Sequence, residues 1–145
     1  NNKVIVALPE TFMNNSGKAV EAAVRYYKIK PENVWVAHDD MDLPLGSLRI
    51  ARNRHAAGHR GVESVKRALK TLEFVRLRIG TASGSLAGKK GAKFTTGRKK
   101  IMISLLLKPW KKSEDPLFRK AFKKTAEAVS YALENDVDAT MNEYN

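Results

Sequence analysis

No cysteine occurs among the 145 residues, which excludes disulfides, thiol nucleophiles and thiolate metal sites from this chain. Histidine is nearly as scarce, with three residues: His38, His55 and His59. That is too thin a set for a zinc centre, so no metal and no cofactor are expected. Long apolar runs are missing too. None approaches the roughly 20 residues a bilayer span requires, and no membrane partner is expected. Acidic residues are in deficit, 15 Asp and Glu against 27 Lys and Arg, for a net charge of +12. A domain this basic meets polyanions, either nucleic acid or an anionic surface. Organellar proteins carry the same bias without binding nucleic acid, so the compartment reads as mitochondrial or cytoplasmic.

Apolar residues make up 43% and charged residues 29% of the chain, the balance of a globular protein. The length suits one domain with one core, over residues 1–145. The chain opens at Asn1 rather than Met and enters an apolar run within three residues. That reads as the interior of a longer protein, N-terminally incomplete.

Lys3–Leu8 predicts a buried strand closed by Pro9. Asn15 or Ser16 suits the cap of a helix carrying Val20, Ala23, Val24 and Tyr27 on one stripe, ending before Pro31. Val34–Ala37 predicts a strand buried on both faces, Gly46–Ala51 a more exposed one. Val62, Val65, Leu69 and Leu72 have helical spacing, so a second helix is expected over about 61–71. Phe74–Gly80 alternates strictly, Val75, Leu77 and Ile79 on one face and Arg76 and Arg78 on the other. Residues 83–100 are rich in Gly and Lys and predict a mobile basic loop. An apolar segment at 101–107 follows. A last helix over about 116–134 places Phe118, Phe122, Val129 and Leu133 on one stripe. Strands alternate with helices, which predicts an α/β sandwich with a mixed, mostly parallel sheet flanked by helices.

The acidic cluster His38-Asp39-Asp40-Met41-Asp42 falls just beyond the Val34–Ala37 strand, where α/β sheets place their ligands. Crowded carboxylates there repel one another unless they are used. A solvated acidic turn is the plain alternative. The loops at 11–17, 38–44 and 54–61 each follow a strand and can share one rim, bringing together an amide, carboxylates, an imidazole and an arginine.

Five collinear blocks then carry a resemblance. PETFMNNSGKAV resembles the PxTYMNxSGxAV block of bacterial-type peptidyl-tRNA hydrolases, and AHDDMDLPLGSLR is similar to that family's HDELDLPxGxxR. AAGHRGVESV is similar to GGHNGLKSI, FVRLRIG to FxRLRIGIG, and VDATMNEYN to the closing xEAAMNxxN. The resemblance implies hydrolysis of the ester that joins a peptide to the 3′-terminal ribose of tRNA, with tRNA as partner and the ribosome as a further one, by a monomer. It implies that Asp39 orients and charges a catalytic histidine. Phe12 and Asn14 would contact the tRNA 3′ end or the ester, and Met13 would wall the peptide channel. His59 matches the histidine of the glycine-rich block, with Gly58 and Gly61 allowing backbone to approach the ligand. Asp42 would make a structural hydrogen bond.

Two departures stand out. The family's catalytic histidine lies in an N-terminal block, GLGNPGxxYxxTRHNxG, which this sequence does not contain. His38 is not expected to replace it, since neighbours on a strand point to opposite faces. The asparagine of GGHNG is Arg60 here. Arginine only donates and carries a fixed charge, which suits phosphate rather than a water-positioning role.

Plainer readings stand beside these. Asn14 could cap the helix, Asp39 could pair with a nearby arginine, and His59 could be a satisfied loop histidine. Phe12 and Met13 could be core, Arg76 and Arg78 a solvated sheet face, and residues 89–100 a solvated loop. Three functions therefore remain: a peptidyl-tRNA hydrolase, a hydrolase-like module that binds tRNA or ribosomal RNA without turnover, and an interaction protein of a larger assembly.

Overall fold

The computed structural model describes residues 3–82 and 111–145. In chain order, α1 spans Ser16–Tyr27, β1 Trp35–Pro44, β2 Leu48–Arg52, α2 Arg60–Leu69, β3 Val75–Ala82, α3 Asp115–Ala132 and α4 Val137–Tyr144. The expected basic loop at 83–100 and the apolar segment at 101–107 lie outside the described residues.

The helix ends follow local chemistry. α1 grows out of a single 3-10 turn, Met13–Asn15, where the Ser16 hydroxyl donates to the Met13 carbonyl at 2.8 Å. It stops where Lys28 turns left-handed, φ 54°, ahead of Pro31. Asn14 does not cap it, and neither does Asn15 through its side chain. α3 has Pro116 in its first turn, where the missing N–H costs nothing. In α4 the Asp136 carboxylate accepts the N–H of Ala139 at 2.7 Å.

The sheet is mixed, with order β1-β3-β2. β1 runs parallel to β3 from Trp35 opposite Val75 to Asp40 opposite Gly80. β2 runs antiparallel to β3, Leu48 opposite Ile79 and Arg52 opposite Val75. On one face Leu48, Ile50, Val75 and Leu77 pack with Ala128, Val129, Val137 and Met141 of α3 and α4. On the other, Val34, Val36 and Phe74 pack with Val20 of α1 and Val62, Val65 and Leu69 of α2. These helix layers make the expected α/β sandwich. At the outer side of β2, Asn145 stands in for a strand: its Oδ1 accepts the Ile50 N–H at 2.7 Å and its Nδ2 donates to the Ile50 carbonyl at 3.1 Å.

Four expectations are corrected. Lys3–Leu8 is not a buried strand; it has no regular structure, and Val6 and Leu8 are 85% and 90% exposed. Alternation of apolar residues makes a strand only where another strand supplies hydrogen-bond partners, and none lies alongside among the described residues. β1 does not end before the acidic cluster but runs through it, and its register with β3 turns irregular only between Asp40 and Pro44. The arginine face of β3 is not solvated: Arg76 is 4% exposed, and Arg78 Nε donates to Asp40 Oδ2 at 2.7 Å. In α3 the fully buried positions are Ala121 and Ala128, while Phe122 and Leu133 are exposed. The helix meets the sheet through small residues with Val129 beside them, while Phe122 and Leu133 stay outside.

Packing of α1 on α2 is equally close. A Cβ at Gly17 would sit 2.1 Å from the Ser64 carbonyl oxygen, and the Gly17 N–H donates to Ser64 Oγ at 3.0 Å. This contact fixes the loop before α1 against the start of α2, and so brings two of the expected loops together.

Candidate active site

His59 is the N-cap of α2, and it joins that helix to β1. Its Nδ1 accepts the backbone N–H of Val62 at 3.2 Å, and its Nε2 lies 3.0 Å from Asp39 Oδ1. A nitrogen that accepts an N–H presents its lone pair, so the ring proton sits on Nε2 and is donated to Asp39. Both ring nitrogens are thereby engaged. The hydrogen bond from His59 holds the Asp39 carboxyl below the usual carboxylate range, against the opposing effect of burial. The Asp39 side chain is still 38% exposed, so this carboxylate is ionised and open to an incoming molecule.

His38 also meets His59. The two rings lie 4.6 Å apart between centroids, and His38 Nδ1 donates to the Asp39 main-chain carbonyl at 2.7 Å. Both neighbours nevertheless reach His59, Asp39 by a hydrogen bond and His38 by ring contact. The register of β1 with β3 is regular through Asp40, and among the described strands β1 lies at the edge of the sheet. A ring lying beside that edge is within reach of both neighbours. Burial lowers His38 to about 4, and its Nε2 is buried without a hydrogen-bond partner. At neutral pH His38 is uncharged.

Among the described residues Asp39 pairs with no arginine; Asp40 does, through Arg78. The two adjacent carboxylates thus separate into one that faces the loops and one tied into the sheet. Asp40 Oδ1 also accepts the backbone N–H of Asp42 at 2.9 Å. Gly61 has a neighbour other than a ligand: a Cβ there would meet His59 Cε1 at 3.0 Å and Met13 Cγ at 3.1 Å. Its lack of a side chain seats the His59 ring and the Met13 chain.

Gly58 and Arg60, on either side of His59, open onto a cleft of about 470 Å³ whose lining also includes Asn14, Glu63 and Arg67. Gly58 has φ 85°, a conformation glycine adopts without strain. Phe12 and Met13 are not core: they are 83% and 51% exposed on the same loop as Asn14. The fold thus gathers Asp39, His59 and Met13 through contacts, and Asn14 and Arg60 around the cleft. Glu63 and Arg67 were absent from the sequence expectations. Their signal was available, since Arg60, Glu63 and Arg67 recur at three and seven residues and so share one face of a helix. Among the described residues no group of three or more His, Asp or Glu side chains is close enough to hold a metal ion, and no helix is long and apolar enough to cross a membrane.

Comparison with known proteins points to one family. The family model described as peptidyl-tRNA hydrolase matches residues 1–145. A peptidyl-tRNA hydrolase of Persephonella marina is 34% identical over 139 residues, covering 96% of this chain and 67% of that protein. One from Synechocystis is 37% identical over 143 residues, covering 99% of this chain and 68% of that protein. The crystal structure of peptidyl-tRNA hydrolase from Acinetobacter baumannii superposes with a TM-score of 0.77 at 27% identity over 94% of this chain. The chain spans 63% of the length of that structure. With the whole chain matched in sequence and nearly all of it in fold, the protein belongs to the peptidyl-tRNA hydrolase family.

Proposed function

We propose that this protein hydrolyses the ester between a peptide and the 3′ end of tRNA. The observation that carries the reading is the ionised Asp39 carboxylate, anchored by His59 at 3.0 Å and adjoining, through His59, the cleft that Asn14 lines. In the reaction, water oxygen joins the ester carbonyl carbon, the acyl–oxygen bond breaks and the proton passes to the departing ribose oxygen. Asp39 is the catalytic carboxylate: its charge favours the transient positive charge of whatever group takes the proton from water. His59 positions Asp39. The Asn14 amide, donor and acceptor at once, orients the ester or the ribose. Phe12 and Met13 offer an exposed apolar wall to the peptide and the terminal base, and Arg60 contacts the tRNA. The same proposal takes the protein as a single-domain monomer, with tRNA its partner and the ribosome a further one, in the mitochondrion or the cytoplasm.

One observation favours a second reading, RNA binding without turnover. His59 has both nitrogens engaged and His38 is buried with a pKa of about 4, so neither is poised as a base near neutrality. Incubating the full-length protein with N-acetyl-aminoacyl-tRNA separates the two. Ester cleavage that Asp39→Ala abolishes supports hydrolysis; salt-sensitive binding with no cleavage by the unsubstituted protein overturns it in favour of the second reading.

A further inference from the structure

The cleft beside His59 is lined by two arginines that, among the described residues, enter no ion pair. Arg60 and Arg67 sit two turns apart on one face of α2, about 10 Å along the helix axis, and both are exposed. Glu63 stands between them and also lines the cleft, but its Oε2 lies 3.4 Å from Lys66 Nζ, on the next turn. Among the described residues neither Arg60 nor Arg67 forms a salt bridge with a carboxylate. With Lys66 drawn to Glu63, these four side chains together carry a net charge of +2. Asn14 and Gly58 complete the wall with an amide and a stretch of backbone free of side chain.

Guanidinium groups present planar paired donors that match phosphate oxygens. Two of them on one helix face, unneutralised and beside a concave space, are arranged for an anion with several oxygens spread over some distance. A peptide backbone is uncharged and brings no regular array of anionic oxygens to this wall. A polynucleotide backbone would.

We propose that Arg60 and Arg67 form a clamp for backbone phosphates of the RNA strand whose 3′ end enters the site, with Arg67 the outer member. The inference rests on the tRNA-ester reading for its choice of polyanion and extends it by naming the residues that hold the strand. The clamp recognises phosphate, not base, so it fixes the register of the strand and leaves sequence unread. Arg60 stands where the block GGHNG has asparagine, so this one charge is added relative to that block.

The test measures binding of an RNA hairpin with a single-stranded 3′ tail to the full-length protein and to Arg67→Gln and Arg60→Gln, across a potassium chloride series. Removing either guanidinium weakens binding about three- to fivefold and lowers the slope of log affinity against log salt by about 0.7, equally for tails of different sequence. Arg67→Lys, which keeps the charge, restores the slope. Lys123→Gln, on α3 across the sheet, removes the same charge and leaves affinity within about twofold. An unchanged slope in Arg67→Gln, or an equal loss in Lys123→Gln, would overturn the clamp. Orthophosphate replacing chloride at equal ionic strength leaves RNA binding unchanged; displacement of RNA by it would reassign the cleft to free phosphate. Ester cleavage by the same preparations is scored separately. Cleavage with an unchanged slope in Arg67→Gln removes the clamp and keeps the hydrolase. A lowered slope without cleavage by the unsubstituted protein removes the hydrolase and keeps the clamp.

Discussion

Asp39 and His59 are 20 residues apart in the chain and 3.0 Å apart in the fold, joined by a hydrogen bond from the ring to the carboxylate. The same ring caps α2 through Val62. One side chain thus sets the start of a helix and the charge state of an acid on a neighbouring strand, which couples the site to the stability of α2.

That coupling can be taken apart. His59→Ala removes both the cap and the partner of Asp39; α2 loses about 1–2 kcal/mol, read as a lower urea midpoint. The Asp39 carboxyl then titrates at a higher pH than in the unsubstituted protein, read by carbon NMR. His59→Asn supplies a good capping oxygen but is too short for the strand, so stability recovers while the Asp39 titration stays raised. Stability and titration returning together in His59→Asn would show that the pair and the cap are not separable.

Asp40 has a different task from its neighbour. Its carboxylate and Arg78 are 10% and 23% exposed at 2.7 Å. Asp40→Asn leaves a half-buried guanidinium without its counter-charge and costs about 1–3 kcal/mol. Asp40→Leu with Arg78→Leu removes both charges and regains much of that loss. Denaturation at pH 7 measures both. A loss below about 0.5 kcal/mol in Asp40→Asn would assign the pair no more weight than a surface ion pair.

The buried His38 makes stability fall on the acid side. Its pKa drops from 6.5 to about 4 in the fold, so between those values the unfolded chain binds more protons than the native one. Stability is therefore unaffected by this residue above about pH 7, declines as pH falls through 6.5, and levels off below about 4, a total on the order of 3 kcal/mol. Urea unfolding at about pH 7.5 and about pH 5 measures the decline, and His38→Gln removes most of it. Asp39 acts in the same direction but lower: its depressed carboxyl gives stability that is lost only as pH falls below 3.8 and through its folded value. An equal decline in His38→Gln would place the titrating group elsewhere.

Local pattern located much of this protein. The helical spacing of Val62, Val65 and Leu69 marked α2, and the alternation from Val75 to Ile79 marked β3 with its faces correctly divided. Both signals are short-range: they depend on how successive side chains project from one backbone. The five sequence blocks located the segments that carry Asn14, Asp39 and His59, because each block is a contiguous string. Composition supplied the charge.

What lay across the chain had to wait for the fold. Lys3–Leu8 has the pattern of a strand and no partner beside it among the described residues, and of the apolar stripe expected for α3 Val129 packs on the core while Phe122 and Leu133 stay exposed. Periodicity says which residues share a face; it does not say what covers that face. The family block singled out Asp39, but residue type alone does not separate it from Asp40, and their partners, His59 for one and Arg78 for the other, appear only in the fold. Arg67 gained its meaning only when the loop of Asn14 was laid against α2, at the close approach of Gly17 to Ser64. The sequence by itself determined elements, charge and family blocks, because these are written in neighbouring residues. Tertiary structure decided partners, because a hydrogen bond, an ion pair or a cleft is made by residues whose distance in space bears no fixed relation to their distance along the chain.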